Sequence, residues 1–278
     1  MSDIVLSAGV RSNLLQLQQT SDLITQTQTR LATGKKVNSA LDNAINFFTA
    51  QGLDNRANDL SGLLDSMSNA INTIQAANNG ITAITKLVQS AQSLASQANQ
   101  TTDGAVRSTL ATQFDALVSQ IGQLAGDSGF NGINLLAGNT LTVTLDETGN
   151  SSTSVVGVDY TTPSNAAPGL AIDSAVSAHA AWATTADINA SSAVLTTALT
   201  TLRSESQTLS ANLSVVQIRQ DFTKATINTL QTGSAALTLA DSNEEGANLL
   251  ALQTRQQLST TALSLASQAD QNVLRLFQ

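Results

Sequence analysis

Few side chains in this sequence have the chemistry of a catalytic or metal site. Cysteine is absent, and the single histidine is His179. One histidine and no thiolate exclude a two-histidine zinc site and leave no choice of general base. Glu244 and Glu245 form a carboxylate pair, but a helix is predicted to begin there, and negative charge is favoured at a helix start. We therefore predict that the chain is not an enzyme and has no catalytic residue, metal site or cofactor.

The charge distribution narrows the choice of partners. The net charge is −8, and no basic residue lies between Arg107 and Arg203. Seven of the 20 acidic residues fall in that interval, which leaves 13 to balance the 12 basic residues of the two flanks. Nucleic acid and anionic membranes both require clustered cations, so neither is expected as a partner. The nearly neutral flanks can pack against copies of themselves, whereas the acidic middle is suited to water.

Targeting signals are not visible in the sequence. The first 13 residues have no basic cluster followed by an apolar core, and no apolar run approaches the roughly 20 residues of a spanning helix. We expect a chain that, if it leaves the cell, is exported without a cleaved signal peptide.

Apolar residues recur at intervals of seven in both flanks, and such a repeat keeps one narrow stripe of a helix facing a partner helix. Near the amino end the series is Leu60, Met67, Ile74, Ile81, Val88 and Ala95. Near the carboxyl end it is Leu195, Leu202, Leu209, Val216, Thr223, Leu230 and Leu237, all but one of them aliphatic. For these central helices a bundle core is favoured over a seam between molecules.

The order of helix and turn signals predicts five helices and two strands. The helices are expected at about 4–31, 39–99, 105–125, 192–236 and 243–277. Capping boxes at Ser39–Asp42 and Ser242–Glu245 are predicted to open the second and last helices. Alternation of apolar and polar residues predicts short strands near 141–145 and 154–160. His179 and Trp182, three residues apart, are interpreted as a packing pair.

The predicted fold class is mainly α. Both chain ends form a long antiparallel, coiled-coil-like helical bundle, and a small β-containing or irregular lobe is inserted between them. We divide the chain into a terminal helical assembly domain (1–40 and 240–278), a helical rod domain (41–138 and 187–239) and a surface-exposed variable lobe (139–186).

The last helix differs from the others because it is apolar on more than one face, and one partner helix cannot bury both faces. Neighbouring molecules are expected to supply the rest. The predicted assembly interface combines the apolar residues of the first and last helices. These are Ile4, Leu6, Val10, Leu14, Leu17, Ile24, Leu31, Leu249, Leu252, Leu258, Leu263, Leu265, Val273, Leu274, Leu276 and Phe277.

Three segments stand out for their sequence: 29–44 (TRLATGKKVNSALDNA), 129–136 (GFNGINLL) and 273–277 (VLRLF). In this order and at these distances from the ends they resemble bacterial flagellin, and the likeness covers about 1–137 and 190–278. The resemblance implies terminal helices that form the inner tubes of the flagellar filament, with the middle of the chain on the outside. It also implies export by the flagellar type III apparatus.

From this resemblance we expect an extracellular structural subunit that polymerises with copies of itself into the flagellar filament for swimming motility. Its implied partners are an export chaperone, hook-associated proteins and cap proteins. The hook–filament junction protein of the same system is the alternative. A catalytic or carbohydrate-binding module in the middle is a third hypothesis, for which Tyr160 and Trp182 are the only large polar aromatics between 131 and 221.

Overall fold

A computed structural model describes residues 8–164 and 169–276, without the side chains of Asp270 and of residues 273–276. In that part of the chain the helices are α1 (Ala8–Thr33), α2 (Ala44–Asn99), α3 (Gly104–Asp127), α4 (Thr185–Thr238) and α5 (Ser242–Leu276). Strands β1 (Thr140–Thr144) and β2 (Ser152–Val156) form an antiparallel pair. A short 3-10 turn spans Ala180–Trp182. The predicted fold class, a helical bundle with a small β-containing lobe, is confirmed.

The chain divides into two compact units, which we describe separately. Unit 1 comprises Met1–Ala57 and Asn228–Gln278, and unit 2 comprises Asn58–Ile227. The predicted assembly domain, rod domain and lobe are defined by which parts of the chain are buried or exposed in a polymer. This division stays a prediction.

The core of unit 2 is the seam between α2 and α4. All six heptad residues of α2 from Leu60 to Ala95 are buried, as are the five of α4 from Leu195 to Thr223. Polar bonds join the two helices: Ser206 Oγ donates to Asn78 Oδ1 at 2.7 Å, and Gln220 Nε2 donates to Ser68 Oγ at 2.9 Å. Early positions of α2 therefore meet late positions of α4, which makes the pair antiparallel.

The predicted capping boxes are wrong in detail at both sites. Asp42 does accept hydrogen bonds from the backbone N–H of Asn38 and Ser39, but these bonds close a turn before the helix. α2 begins at Ala44, and the side chain of Asn43 accepts from the Asn46 N–H at 2.9 Å. Short polar side chains compete for the same orphan amides, and the one nearest the helix caps it.

At α5 the cap is the residue before the predicted one. Asp241 Oδ1 accepts from the backbone N–H of Asn243 at 2.8 Å and of Glu244 at 3.4 Å. Glu245, which the capping box assigned to its own helix start, binds another helix instead.

The segment 129–136 holds the lobe onto α3. Asn131 and Gly132 have φ of 48° and 80°, which gives a two-residue hairpin turn between Phe130 and Ile133. Asn134 then donates from Nδ2 to the carbonyls of residues 125 and 126, both at 2.8 Å. These bonds satisfy carbonyls that the end of a helix leaves without partners.

Buried aromatic side chains fill the interior of unit 2 beside the lobe. Trp182 is fully buried, stacks edge-to-face on Phe114 with ring centroids 5.1 Å apart, and donates from Nε1 to Ser191 Oγ at 2.9 Å. The backbone N–H of Trp182 also donates to the His179 carbonyl at 2.8 Å, and the packing of their side chains stays a prediction.

Two polar side chains tie loops to helices in unit 2. Arg107 on α3 is buried, and its Nε donates to the carbonyls of Ala98 and Thr101 at 3.2 and 2.8 Å. Asp115 accepts from Ser174 Oγ and from the Ala175 N–H, both at 2.6 Å. Each bonded group replaces a water that burial removes.

The close packing of the lobe predicts opposite effects for two glycine substitutions. A Cβ at Gly157 would collide with the carbonyl oxygens of Leu135 and Asn139, so we expect Gly157→Ala to destabilise the protein by about 1–3 kcal/mol. Gly62 lies exposed on α2 with open space around it, and Gly62→Ala should stabilise by roughly 0.5–1 kcal/mol. Thermal or urea unfolding of the monomer measures both. Equal effects would show that the lobe yields to the added carbon.

Candidate assembly surface

Unit 1 contains the two helices on which sequence analysis placed the interface. α1 packs against α5, and the inward residues of α1 follow a spacing of three and four. Val10, Thr20, Ile24 and Thr27 are buried, and Leu17 and Leu31 are half-buried between them. The heptad series of the first helix therefore faces its partner helix, as a coiled-coil seam requires.

A charged pair fixes the register of α1 against α5. Arg30 Nη1 donates to Glu245 Oε1 at 3.0 Å, and the Glu245 side chain is 9% exposed. Because Arg30 lies near the end of α1 and Glu245 near the start of α5, the two helices are antiparallel. Within the described residues, Arg30 Nε is buried without a hydrogen-bond partner.

α5 has two distinct faces. The face towards α1 consists of half-buried residues, namely Leu249, Leu252, Gln256, Ser259, Leu263 and Ala266. At 100° per residue, Leu258, Leu265 and Leu250 lie about 130–150° from the centre of that face, on the opposite side of the helix. Their exposed fractions are 67%, 62% and 68%, respectively. One helix partner thus leaves large leucines of α5 in water.

Further apolar side chains of unit 1 are exposed on α1 and on the segment that follows it. Leu14, Leu15 and Leu23 are more than a third exposed. Leu41, Ile45 and Phe48 are all more than half exposed, and Leu41 reaches 98%. The segment that carries Leu41 is ordered by the Asp42 carboxylate and by a hydrogen bond from the Lys36 N–H to the Thr238 carbonyl.

The predicted interface residues therefore have three different environments. Those buried or half-buried in the α1–α5 seam are Val10, Leu17, Ile24, Leu31, Leu249, Leu252 and Leu263. Those exposed are Leu14, Leu258 and Leu265. Ile4, Leu6 and Phe277 lie outside the described residues, as do the side chains of Val273, Leu274 and Leu276. Sequence analysis missed the exposed group Leu41, Ile45 and Phe48, although its spacing of four and three was visible.

The titratable groups with shifted pKa values lie at turns and beside the lobe. Hydrogen bonds from backbone N–H groups hold the pKa of Asp42 below its ordinary value, and the hydroxyl and N–H of Thr184 do the same for Asp187. Burial raises the pKa of Glu205 on α4. Burial, and then the charge of Glu205, raises the pKa of the Tyr160 hydroxyl.

Over residues 8–164 and 169–276, no group of acidic or histidine side chains is arranged to hold a metal ion. The same ranges contain no helix that is long and apolar enough to cross a membrane.

Comparison with known proteins identifies the chain. The N-terminal helical region of bacterial flagellin matches residues 8–140, and the C-terminal helical region of bacterial flagellin matches residues 192–277. The chain belongs to the bacterial flagellin family. Flagellins FljM and FljK of Caulobacter vibrioides are 31% and 32% identical to it over 280 residues, which cover 100% of this chain and 99% of each relative. A flagellin of Brucella melitensis is 28% identical over 292 residues, with 100% of both chains covered.

This flagellin is a structural subunit that polymerises into the bacterial flagellar filament for motility, and it is not an enzyme. Its place is the extracellular flagellum. No finding favours the hook–filament junction alternative.

The Arg30–Glu245 pair predicts unequal effects at two neighbouring carboxylates. Glu245→Gln should weaken the α1–α5 pair by about 1–2 kcal/mol, because a half-buried guanidinium loses its charged acceptor. Glu244→Gln removes the same charge from the same helix turn, but Glu244 is exposed, and little change is expected. Hydrogen exchange of α1 and α5 amides in the monomer measures both. Equal loss of protection would mean that the helix dipole, and not Arg30, accounts for the effect.

The raised pKa of Glu205 predicts a pH-dependent stabilisation by Glu205→Gln. The folded protein holds this proton more tightly than the unfolded chain, so stability falls as pH rises from the ordinary value of 4.5 through the raised pKa. Glu205→Gln should therefore melt higher than the parent at pH 7, with a difference that vanishes below about pH 4.5. Asp173→Asn, at an exposed carboxylate, is the control. A difference that stays constant across this pH range would contradict the assignment.

Proposed function

We propose that copies of this flagellin assemble through the exposed apolar surface of unit 1. The surface is formed by Leu250, Leu258 and Leu265 of α5, by Leu14, Leu15 and Leu23 of α1, and by the predicted residues beyond the described ranges. The single observation that carries the proposal is the second apolar face of α5, which α1 leaves exposed.

The size of the hydrophobic effect supports this assignment. Fully burying one leucine side chain contributes about 1.5–3 kcal/mol. Three leucines on α5 alone would contribute several kcal/mol for each subunit, which exceeds what surface ion pairs supply. Covering these leucines therefore contributes to the stability of a polymer and offsets part of the entropy cost of association.

The type of symmetry follows from the geometry of such a contact. The exposed leucines of α5 and those of α1 are different surfaces, so a neighbour can bind one with the other. Contacts between unlike surfaces that do not close into a ring produce an open helical assembly. This is the arrangement expected of a filament subunit.

We also propose the domain roles and the remaining partners predicted from the sequence. Residues 1–40 with 240–278 assemble, residues 41–138 with 187–239 support them, and the lobe 139–186 faces solvent. The acidic residues between Arg107 and Arg203 support a solvent-facing lobe, because an ionised carboxylate is more stable in water than in a buried contact. An export chaperone, hook-associated proteins and cap proteins are proposed to bind the terminal helices. The exposed leucines of these helices would face water before the subunit assembles and at the two ends of the filament, and such partners would bury them.

The test replaces one exposed leucine of α5 with a charge. Leu258→Asp should leave the monomer's thermal unfolding almost unchanged, because the side chain is already in water. In the polymer the carboxylate would lose its water without a partner, which costs several kcal/mol. The critical concentration for seeded polymerisation should therefore rise by orders of magnitude.

Two variants control this experiment. Gln257→Glu adds the same charge to an exposed neighbour, and Leu258→Met keeps an apolar side chain of similar volume. Both should polymerise close to the parental critical concentration. Normal filaments from Leu258→Asp would refute the assembly role of this face.

A further inference from the structure

The hairpin turn of the segment 129–136 places an asparagine directly before a glycine on the surface of unit 2. Asn131 and Gly132 are both exposed, and a Cβ built at Gly132 would meet no atom within 4 Å. Two backbone hydrogen bonds between Phe130 and Ile133, at 2.9 and 3.0 Å, close the turn below them. The tip of the hairpin therefore has room to rearrange.

An asparagine that precedes glycine reacts with its own backbone. The glycine nitrogen attacks the asparagine Cγ, a C–N bond forms, and the side-chain nitrogen leaves as ammonia with the proton that the backbone nitrogen gives up. The product is a succinimide ring. Water then bonds to one of the two ring carbonyls and that C–N bond breaks, which leaves aspartate or isoaspartate with a new backbone N–H. A Cβ on the second residue hinders the attack, so glycine reacts fastest and the small residue serine follows.

Four asparagines in the sequence precede glycine or serine, and the fold already uses the attacking N–H at three of them. The four pairs are Asn38–Ser39, Asn79–Gly80, Asn131–Gly132 and Asn150–Ser151. The Ser39 N–H donates to the Asp42 carboxylate at 3.0 Å, and the Ser151 N–H donates to Asp146 Oδ1 at 2.8 Å. Gly80 is buried inside α2, where its N–H belongs to the hydrogen-bond ladder of the helix.

The Asn131–Gly132 pair differs from the other three. Within the described residues, no protein group forms a hydrogen bond with the Gly132 N–H or with the Asn131 side-chain amide. We propose that Asn131–Gly132 is a self-modification site, at which the folded chain converts Asn131 into aspartate and isoaspartate with water as the co-reactant. A subunit in the extracellular flagellum lies beyond protein turnover inside the cell, which gives this slow reaction time to accumulate.

The conversion would alter the attachment of the lobe. Isoaspartate places the side-chain methylene in the backbone, and the Phe130–Ile133 bonds require a loop of two ordinary residues. Asn134, the next residue of the chain, holds this segment to the end of α3. The product should therefore open the hairpin and loosen this attachment, and it adds one negative charge at the tip.

Peptide mapping of the aged protein by mass spectrometry tests the proposal. The purified full chain is incubated folded at neutral and at mildly alkaline pH, and the exchange of the side-chain NH2 for OH is measured at all four asparagines. Asn131 should convert at least about tenfold faster than Asn79, because opening the α2 ladder costs more than the ~1.4 kcal/mol that corresponds to this factor. Electron-transfer fragmentation should find isoaspartate at 131, and alkaline pH should speed the reaction because the attacking nitrogen must lose its proton.

The unfolded chain is the matched control. In guanidinium chloride both Asn–Gly pairs have the same freedom, so their conversion rates should become similar. Asn131→Gly removes the amide and keeps a residue pair that this turn type accepts. Hydrogen exchange at the Phe130 and Ile133 amides should accelerate as the parent ages and should not change as Asn131→Gly ages.

Three results would overturn the inference. Equal conversion of Asn131 and Asn79 in the folded chain would show that the exposed turn gives no reactivity. Aspartate without isoaspartate at 131 would show direct hydrolysis in place of attack by the Gly132 nitrogen. A preference for Asn131 that persists unchanged in guanidinium chloride would assign the selectivity to the neighbouring sequence and not to the fold.

Discussion

A pair of antiparallel helices can bury only one stripe of each helix, and this limit decides the behaviour of unit 1. α1 and α5 meet along a seam of mixed apolar and threonine side chains that Arg30 and Glu245 hold in register. Leu15 of α1 and Leu250, Leu258 and Leu265 of α5 lie off that seam and are more than half exposed. In the proposed assembly, other copies of the chain cover these leucines.

Unit 2 is under no such limit, because three helices and a hairpin surround its core. Among the described residues most of the buried apolar side chains belong to it, from Leu60 on α2 to Val216 on α4. Polar groups then select one arrangement: Asn78 with Ser206 between the long helices, Arg107 with loop carbonyls, and Asn134 with the end of α3. A slip of α2 against α4 would break the Asn78–Ser206 bond, which makes alternative registers of these two helices costly.

Prediction from the sequence succeeded where the hydrophobic pattern alone determines the packing. The heptad residues of α2 and α4 in unit 2 are buried as predicted, since a sevenfold apolar repeat has one stable solution in a bundle. It failed where similar groups compete locally: Asn43 and Asp241 cap the helices that Ser39 and Ser242 were predicted to cap. The pairing of Trp182 with Phe114 could not be predicted, because the contact joins residues far apart in the chain. The exposed apolar side chains Val215, Ile218 and Phe222 of α4 were missed, because a heptad count marks the seam and ignores the rest of the helix surface.

The measurement that tests the central claim most directly is a structure of the filament grown from the purified chain, determined by electron cryomicroscopy. The account predicts that Leu250, Leu258 and Leu265 approach apolar side chains of other copies within about 4.5 Å, the distance of hydrophobic contact. It also predicts that the Arg30–Glu245 pair remains within one subunit. A filament in which these leucines face solvent, while other surfaces of unit 1 make the contacts between copies, would contradict the account.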